Sequence, residues 1–221
     1  MQIDVAAVAE RLSVVRERIA HTGATGVRIV AVTKGFGPDA WLAAASVGLH
    51  DIGENYAQEA LANQATGRSD ALALHFIGRL QTNKVKALAS VVDVWQTVDR
   101  RELADVLAQR VPGAHVFIQV NVSAEPQKGG CSMQDADALV SYCAAAGLQV
   151  KGLMTVGQAG DSTKIAAGFR WLRQAADRLS LAECSMGMSD DLEIALGEGA
   201  TIVRIGSGLF GKRPDIGTHT N

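Results

Sequence analysis

Apolar residues recur at helical spacing near the start of the chain, where Val5, Val8, Leu12, Val15 and Ile19 follow Asp4, a residue suited to capping free amides. This predicts an amphipathic helix that ends near Gly23. Beyond it the period shortens. Eight runs rich in β-branched residues follow: VRIVAVTK (27–34), DIGEN (51–55), LHFIG (74–78), VWQTVD (94–99), VFIQVN (116–121), VKGLMTV (150–156), ECSMGMS (183–189) and TIVRIG (201–206). Stretches rich in Ala, Leu and charge at 38–47, 56–65, 100–110, 134–146, 165–179 and 190–196 read as helices between them.

Strand and helix in steady alternation is the repeat of a single α/β (β/α)8 TIM barrel, with parallel strands and right-handed crossovers. An open doubly wound sheet shares the alternation but carries a GxGxxG turn after its first strand, and TKGFG (33–37) lacks that spacing. After Phe210 the sequence GKRPDIGTHTN reads as a loop or frayed tail with no eighth helix, so the N-terminal helix is expected to cover the last strand. No linker or low-complexity tract divides the chain. It is read as one domain, 1–221, with an N-terminal helix in 1–22 and a tail at 212–221.

Composition narrows the classes. With 48% hydrophobic and 20% charged residues the chain is that of a soluble globular protein. Its net charge of −2 offers no basic excess for nucleic acid, and no apolar stretch approaches a membrane span. Cys131, Cys143 and Cys184 are odd in number, without CxxC spacing or a nearby histidine pair, so reduced thiols in the cytoplasm are expected and a metal site is not. Glu10, Arg11, Arg16, Glu17 and Arg18 interrupt any signal-peptide apolar region. His21, His50, His115 and His219 are scattered and read as surface or packing residues, and Trp41, Trp95 and Trp171 as core or helix–sheet contacts. Lys84, Lys86, Lys212 and Arg213 form either a small basic rim or a solvated face, and the solvated face is preferred.

In a barrel, functional groups gather at the carboxyl ends of strands. Those positions hold Lys34, Asn55, Gly78 to Lys84, Asn121, Met154 and Thr155, Ser185 to Asp190, and Gly206 to Gly208. Lys34 closes an apolar strand: either the strand simply emerges into water, or a partly desolvated amine waits at a pocket mouth to attack a carbonyl. RIGSGLFG (204–211) is an ordinary glycine turn or a cup of backbone N–H groups for an anion, and SMGMSDD (185–191) adds a second glycine and serine loop beside it. Strand parity places Ile202, Arg204 and Gly206 on one face, and Val30, Val32 and Lys34 on one face of the neighbouring first strand. If Val203 and Ile205 pack under the helices, Arg204 faces the interior and needs an acceptor. An amine, a donor for a ring nitrogen and a phosphate cup are what pyridoxal phosphate asks of a protein.

AVTKGF, DIGENYAQE, HFIGRLQTNK, VNVSAEPQKGG, KGLMTV, SMGMSDDLEIA and TIVRIGSGLFGKR, in that order, resemble the YggS/PROSC family, the pyridoxal-phosphate homeostasis proteins, from about Val27 to Arg213. The resemblance implies a barrel of the alanine-racemase type (pyridoxal-phosphate fold type III) that holds pyridoxal 5'-phosphate as a covalent aldimine, with no established reaction and with pyridoxal-phosphate-dependent apoenzymes as the partner class. Position by position, Lys34 is similar to the Schiff-base lysine and Arg204 to the arginine facing the pyridine nitrogen. Ser185, Gly206 and Ser207 are similar to the phosphate ligands, and Asn55, Met154, Gly187 and Ser189 to the pocket lining. His75, Gly78 and Asn83 fall in the HFIG..Q.NK signature, and Arg79 stands where many relatives have proline, histidine or alanine. Monomer is the default oligomeric state.

Fold-related racemases use a tyrosine from an additional domain and partner subunit as a second acid/base group. This chain ends at Asn221 without such a domain and has only Tyr56 and Tyr142, of which Tyr56, at a helix start, reads as packing. An arginine against the ring nitrogen also weakens the ring as an electron sink. The first reading is therefore a non-catalytic carrier in pyridoxal-phosphate homeostasis. The alternative is a pyridoxal-phosphate-dependent amino-acid racemase or lyase of low activity, and a third is a cofactor-free Schiff-base aldolase for a sugar phosphate.

Overall fold

The computed structural model describes residues 3–123, 125, 128–157 and 160–213. Helix α1 (Val5–His21) opens the chain, capped by Asp4, whose Oδ1 accepts from the amides of Ala6 at 2.9 Å and Ala7 at 3.3 Å. There follow β1 (Arg28–Val32), α2 (Pro38–Ser46), β2 (Asp51–Glu54), α3 (Ala57–Ala65), β3 (Ala73–Phe76), α4 (Val85–Leu88), β4 (Val94–Val98) and α5 (Arg101–Arg110). The second half holds β5 (His115–Gln119), α6 (Ala136–Ala145), β6 (Gln149–Met154), α7 (Ser162–Arg178), β7 (Glu183–Ser185), α8 (Leu192–Gly197), β8 (Ile202–Ile205) and α9 (Ser207–Phe210). The eight strands are parallel and close into a barrel in chain order, with β1 pairing β8 so that Val30 lies opposite Arg204.

Parity divides the buried residues into two layers. Ile29, Ala31, Ile52, Leu74, Phe76, Trp95, Val203 and Ile205 belong to the large core under the helices, where each buried apolar side chain contributes roughly 1.5–3 kcal/mol before entropy is counted. Val30, Phe117, Met154 and Ile202 form a small separate cluster. The other inward-facing buried positions include the polar His75, Gln96, Ser185 and Arg204.

Helix α1 packs against α9, α8 and α2. Val8, Leu12 and Val15 are its buried stripe, and Arg11 Nη1 donates to the Leu209 carbonyl at 3.3 Å. Leu12 is 2% exposed, so Leu12→Ala should cost about 2 kcal/mol or somewhat more through lost transfer energy and the cavity left behind. An unchanged urea midpoint would show that α1 is not part of the cooperative core.

Three local expectations need correction. The seventh strand stops at Ser185 rather than continuing to 189, because Gly187 takes φ +95° and the Met188 amide turns onto Asp191 Oδ1 at 2.5 Å. The segment after β3, to which no helical stretch was assigned, contains a 3-10 turn at Thr82–Lys84 that runs into α4. The glycine-rich stretch after β8 winds into the single turn α9, while 214–221 of the expected tail, His219 included, lie outside the described residues. Trp41 and Trp95 are buried as expected, and Trp171 is half-buried against the core. Cys131, Cys143 and Cys184 are free and buried, and burial pushes their thiols up to about 12, 12 and 11, which makes them poor nucleophiles. Among the described residues no cluster of metal-ligating side chains occurs, and no helix is long and apolar enough to cross a membrane.

Candidate functional site

A cavity of about 380 Å³ opens at the carboxyl ends of β1, β2 and β8, a size suited to a small organic ligand. Lys34, Asn55, Ser189, Arg204, Gly206 and Ser207 line it, joined by the apolar walls Val32, Ile77, Val156 and Met188 and by Asp190 and Arg213.

Lys34 is held from both sides. The preceding Thr33 donates its hydroxyl to Glu54 Oε1 at 2.7 Å, and that carboxylate oxygen also accepts from Trp41 Nε1 at 3.0 Å and Asn63 Nδ2 at 3.2 Å. The following Gly35 amide donates to Glu59 Oε2 at 3.0 Å. The Lys34 ammonium itself makes no hydrogen bond or ion pair among the described residues. Burial lowers its pKa, the positive charges of Arg213 and Arg204 lower it further, and Glu54 and Glu59 oppose only in part. Burial also raises the Glu54 carboxyl, against its three hydrogen bonds.

Asn55 reaches its place because Gly78 has no side chain: a Cβ there would collide with the Asn55 backbone. The Asn55 amide oxygen is buried without a partner.

Arg204 has the acceptors that its inward position demands. Nη1 donates to the Ser185 carbonyl at 2.8 Å and the Ser185 hydroxyl at 2.9 Å, and Nη2 to the Thr155 carbonyl at 2.7 Å. A guanidinium has five donors, so some remain on a residue that lines the cavity. Burial pulls its pKa down to about 10, with Asp191 pushing the other way.

From Arg204 a hydrogen-bonded chain crosses the barrel interior. Ser185 Oγ donates to Gln96 Oε1 at 2.6 Å, Gln96 Nε2 to His75 Nδ1 at 2.7 Å, and His75 Nε2 to Asp51 Oδ1 at 2.8 Å. One end is a donor-only guanidinium and the other an acceptor-only carboxylate, so every bond between them runs in one direction and His75 carries its proton on Nε2. Arg28 stands 3.9 Å beyond Asp51. Although burial favours the neutral Asp51 carboxyl, the hydrogen bond from His75 and the positive charge of Arg28 bring its pKa below the ordinary value.

Three expected site residues do not reach the cavity wall. Met154 is fully buried in the inner cluster and Ser185 is fully buried within the polar chain. At Gly187 a Cβ would stand 2.5 Å from that of Ala195, so this glycine serves the close approach of α8. Tyr56, expected to pack, is 57% exposed because its ring lies over a neighbouring cavity rather than the core. Lys84, Lys86 and Arg213 border three different cavities, so no single basic rim exists. The role of Gln96 was missed. A glutamine inside the apolar run VWQTV was its signal, since an inward polar side chain must have partners.

The alanine racemase N-terminal domain family matches this chain over residues 3–214. The chain is 39% identical over 218 residues to a pyridoxal phosphate homeostasis protein of Pseudomonas aeruginosa, covering 95% of this chain and 94% of that protein. It superposes on PipY of Synechococcus elongatus with pyridoxal phosphate bound at a TM-score of 0.80 and 31% identity, covering 92% of this chain and all of that one. An alanine racemase of Corynebacterium glutamicum shares the fold at a TM-score of 0.77 and 17% identity, with 98% of this chain and 64% of that chain covered.

Proposed function

The chain belongs to the alanine racemase N-terminal domain family and, within it, to the pyridoxal phosphate homeostasis proteins, and on that premise we propose that it binds pyridoxal 5'-phosphate in the Lys34 cavity and serves the cell's balance of that cofactor. The observation that carries this is an unpaired, half-buried amine with a lowered pKa, sharing one cavity with a buried arginine and a glycine and serine turn. The amine condenses with the aldehyde, releasing water and leaving a covalent imine on Lys34. Ser207 and the free amides that open α9 suit the phosphate, and Ser189, Asn55 and Gly206 complete the lining. Arg204 is a donor only, so it suits an unprotonated ring nitrogen.

A carrier fits better than an enzyme. Among the described residues the cavity wall holds one carboxylate, Asp190, and no tyrosine, histidine or cysteine to act opposite Lys34. Asp190 is what favours the second reading, a racemase or lyase of low activity, and solvent deuterium appearing at the α-carbon of an amino acid would support it. The carrier is taken as a one-domain cytoplasmic monomer that passes its cargo to apoenzymes.

The test is direct. Protein incubated with pyridoxal phosphate should turn yellow, and borohydride should fix the label on the Lys34 peptide; a colourless product would overturn the proposal. The pH dependence has a definite sign. Only the neutral amine attacks, and a lowered pKa keeps Lys34 neutral at pH values where ordinary lysine, with a pKa of about 10.4, is protonated. The uptake rate should therefore reach half its plateau below the midpoint of a free lysine side chain. A midpoint at the ordinary value would remove the argument from desolvation.

A further inference from the structure

Beside the Lys34 cavity lies a larger one, about 600 Å³, at the carboxyl ends of β2, β3 and β4. Asn55 belongs to both walls. Three cations, Arg79, Lys84 and Arg100, line the second cavity. Arg100 is already satisfied, with Nη1 2.6 Å from Asp99 Oδ1 and Nη2 donating to the Leu80 carbonyl at 3.0 Å. Arg79 and Lys84 have no acidic partner among the described residues, so two positive charges in one concavity are left uncompensated. Solvated cations on an open surface need no partner, but here a separate feature also asks for a ligand: the buried Asn55 amide oxygen accepts from nothing.

We propose that this second cavity binds a phosphate group, carried by a small organic monoester or as the free anion. A phosphate monoester has a charge of roughly −1.5 to −2 at neutral pH, which matches the two free cations. Arg79 offers a planar fork of donors and Lys84 a point charge. The organic part rests against the exposed Tyr56 ring, and an N–H or O–H on it donates to Asn55 Oδ1. The site is separate from Lys34 and requires no aldehyde.

Calorimetric titration of protein loaded with pyridoxal phosphate, reduced with borohydride and freed of unbound cofactor, using phenyl phosphate in one arm and inorganic phosphate in the other, tests this. Saturable binding of phenyl phosphate is expected, weakened at least about tenfold in the R79Q/K84Q double variant, since hydrogen bonds to charged groups are the strong ones. The thermal midpoint and visible spectrum should not change, and the single variant R79Q, altering one exposed side chain, should show the weakening even if the double variant folds poorly. Equal binding in both arms identifies the free anion as sufficient, and preference for phenyl phosphate identifies the monoester; either upholds the site. No saturable binding in either arm, or affinity unchanged by both variants, overturns it. Neither Arg79 nor Lys84 lines the Lys34 cavity, so a protein that took up no pyridoxal phosphate would fail the earlier proposal and leave this comparison readable.

Discussion

Lys34→Ala should stay colourless with pyridoxal phosphate and carry no label after borohydride, with apparent affinity for the cofactor at least about 100-fold weaker, or about 3 kcal/mol. Among the described residues Lys34 is the only lysine on the wall of its cavity, and the neighbouring Arg204 and Arg213 carry delocalised guanidinium groups rather than a primary amine. The fold should not suffer. The ammonium is half-buried and unpartnered, so removing it abolishes no hydrogen bond and relieves a desolvation cost. The unfolding midpoint should thus be equal to or above that of the parent. Retained colour would assign the imine to another lysine, and a collapsed midpoint would mean that Lys34 is structural.

The second large effect lies below the site, at Gln96→Leu. Leucine is close in volume but can neither donate to His75 Nδ1 nor accept from the Ser185 hydroxyl, so two fully buried groups lose partners at once. Each orphaned group costs about 1–3 kcal/mol, giving about 2–6 kcal/mol in all and a fall in Tm of roughly 4–24 °C for a domain of this size. Ser185, freed from Gln96, no longer fixes the angle of Arg204, so the absorption of the loaded protein should shift as well. A spectral change without destabilisation, or stability within 0.5 kcal/mol or so of the parent, would show that the chain carries little energy. Gln96→Glu offers a sharper contrast. It keeps the acceptor for Ser185 but faces His75 with a second acid beside Asp51.

Much of this was legible in the sequence because barrel strands are buried on both faces and bounded by turn residues, so eight β-rich runs marked eight strands to within a few residues. Parity put Arg204 inside on the condition that Val203 and Ile205 pack under the helices, and both do so while Arg204 is buried. What parity cannot supply is depth along the strand. Met154 and Ser185 share the inward face with Arg204 yet sit beneath the cavity, and only the stagger of the strands decides which inward residue meets a ligand. Short helices were equally hidden. The turn Ser207–Phe210 spans too few residues for any helical period to show, and Gly208 within it argues against a helix locally. The cation pair Arg79 and Lys84 was visible only as composition, since whether charges five residues apart face one concavity depends on the turn between them.

The way α1 is anchored bears on how the molecule is made. Arg18 Nη2 donates to the Ser189 carbonyl at 2.9 Å and Arg11 reaches the Leu209 carbonyl, so a helix made well before β7 and β8 braces the segments that follow both strands. A nascent polypeptide lacking those strands has nowhere to dock that helix and no assembled cup to offer. Assembly of the Lys34 cavity must then wait until β8 has been made, and a ribosome stalled before β8 would release a product that has Lys34 but not Arg204, Gly206 and Ser207.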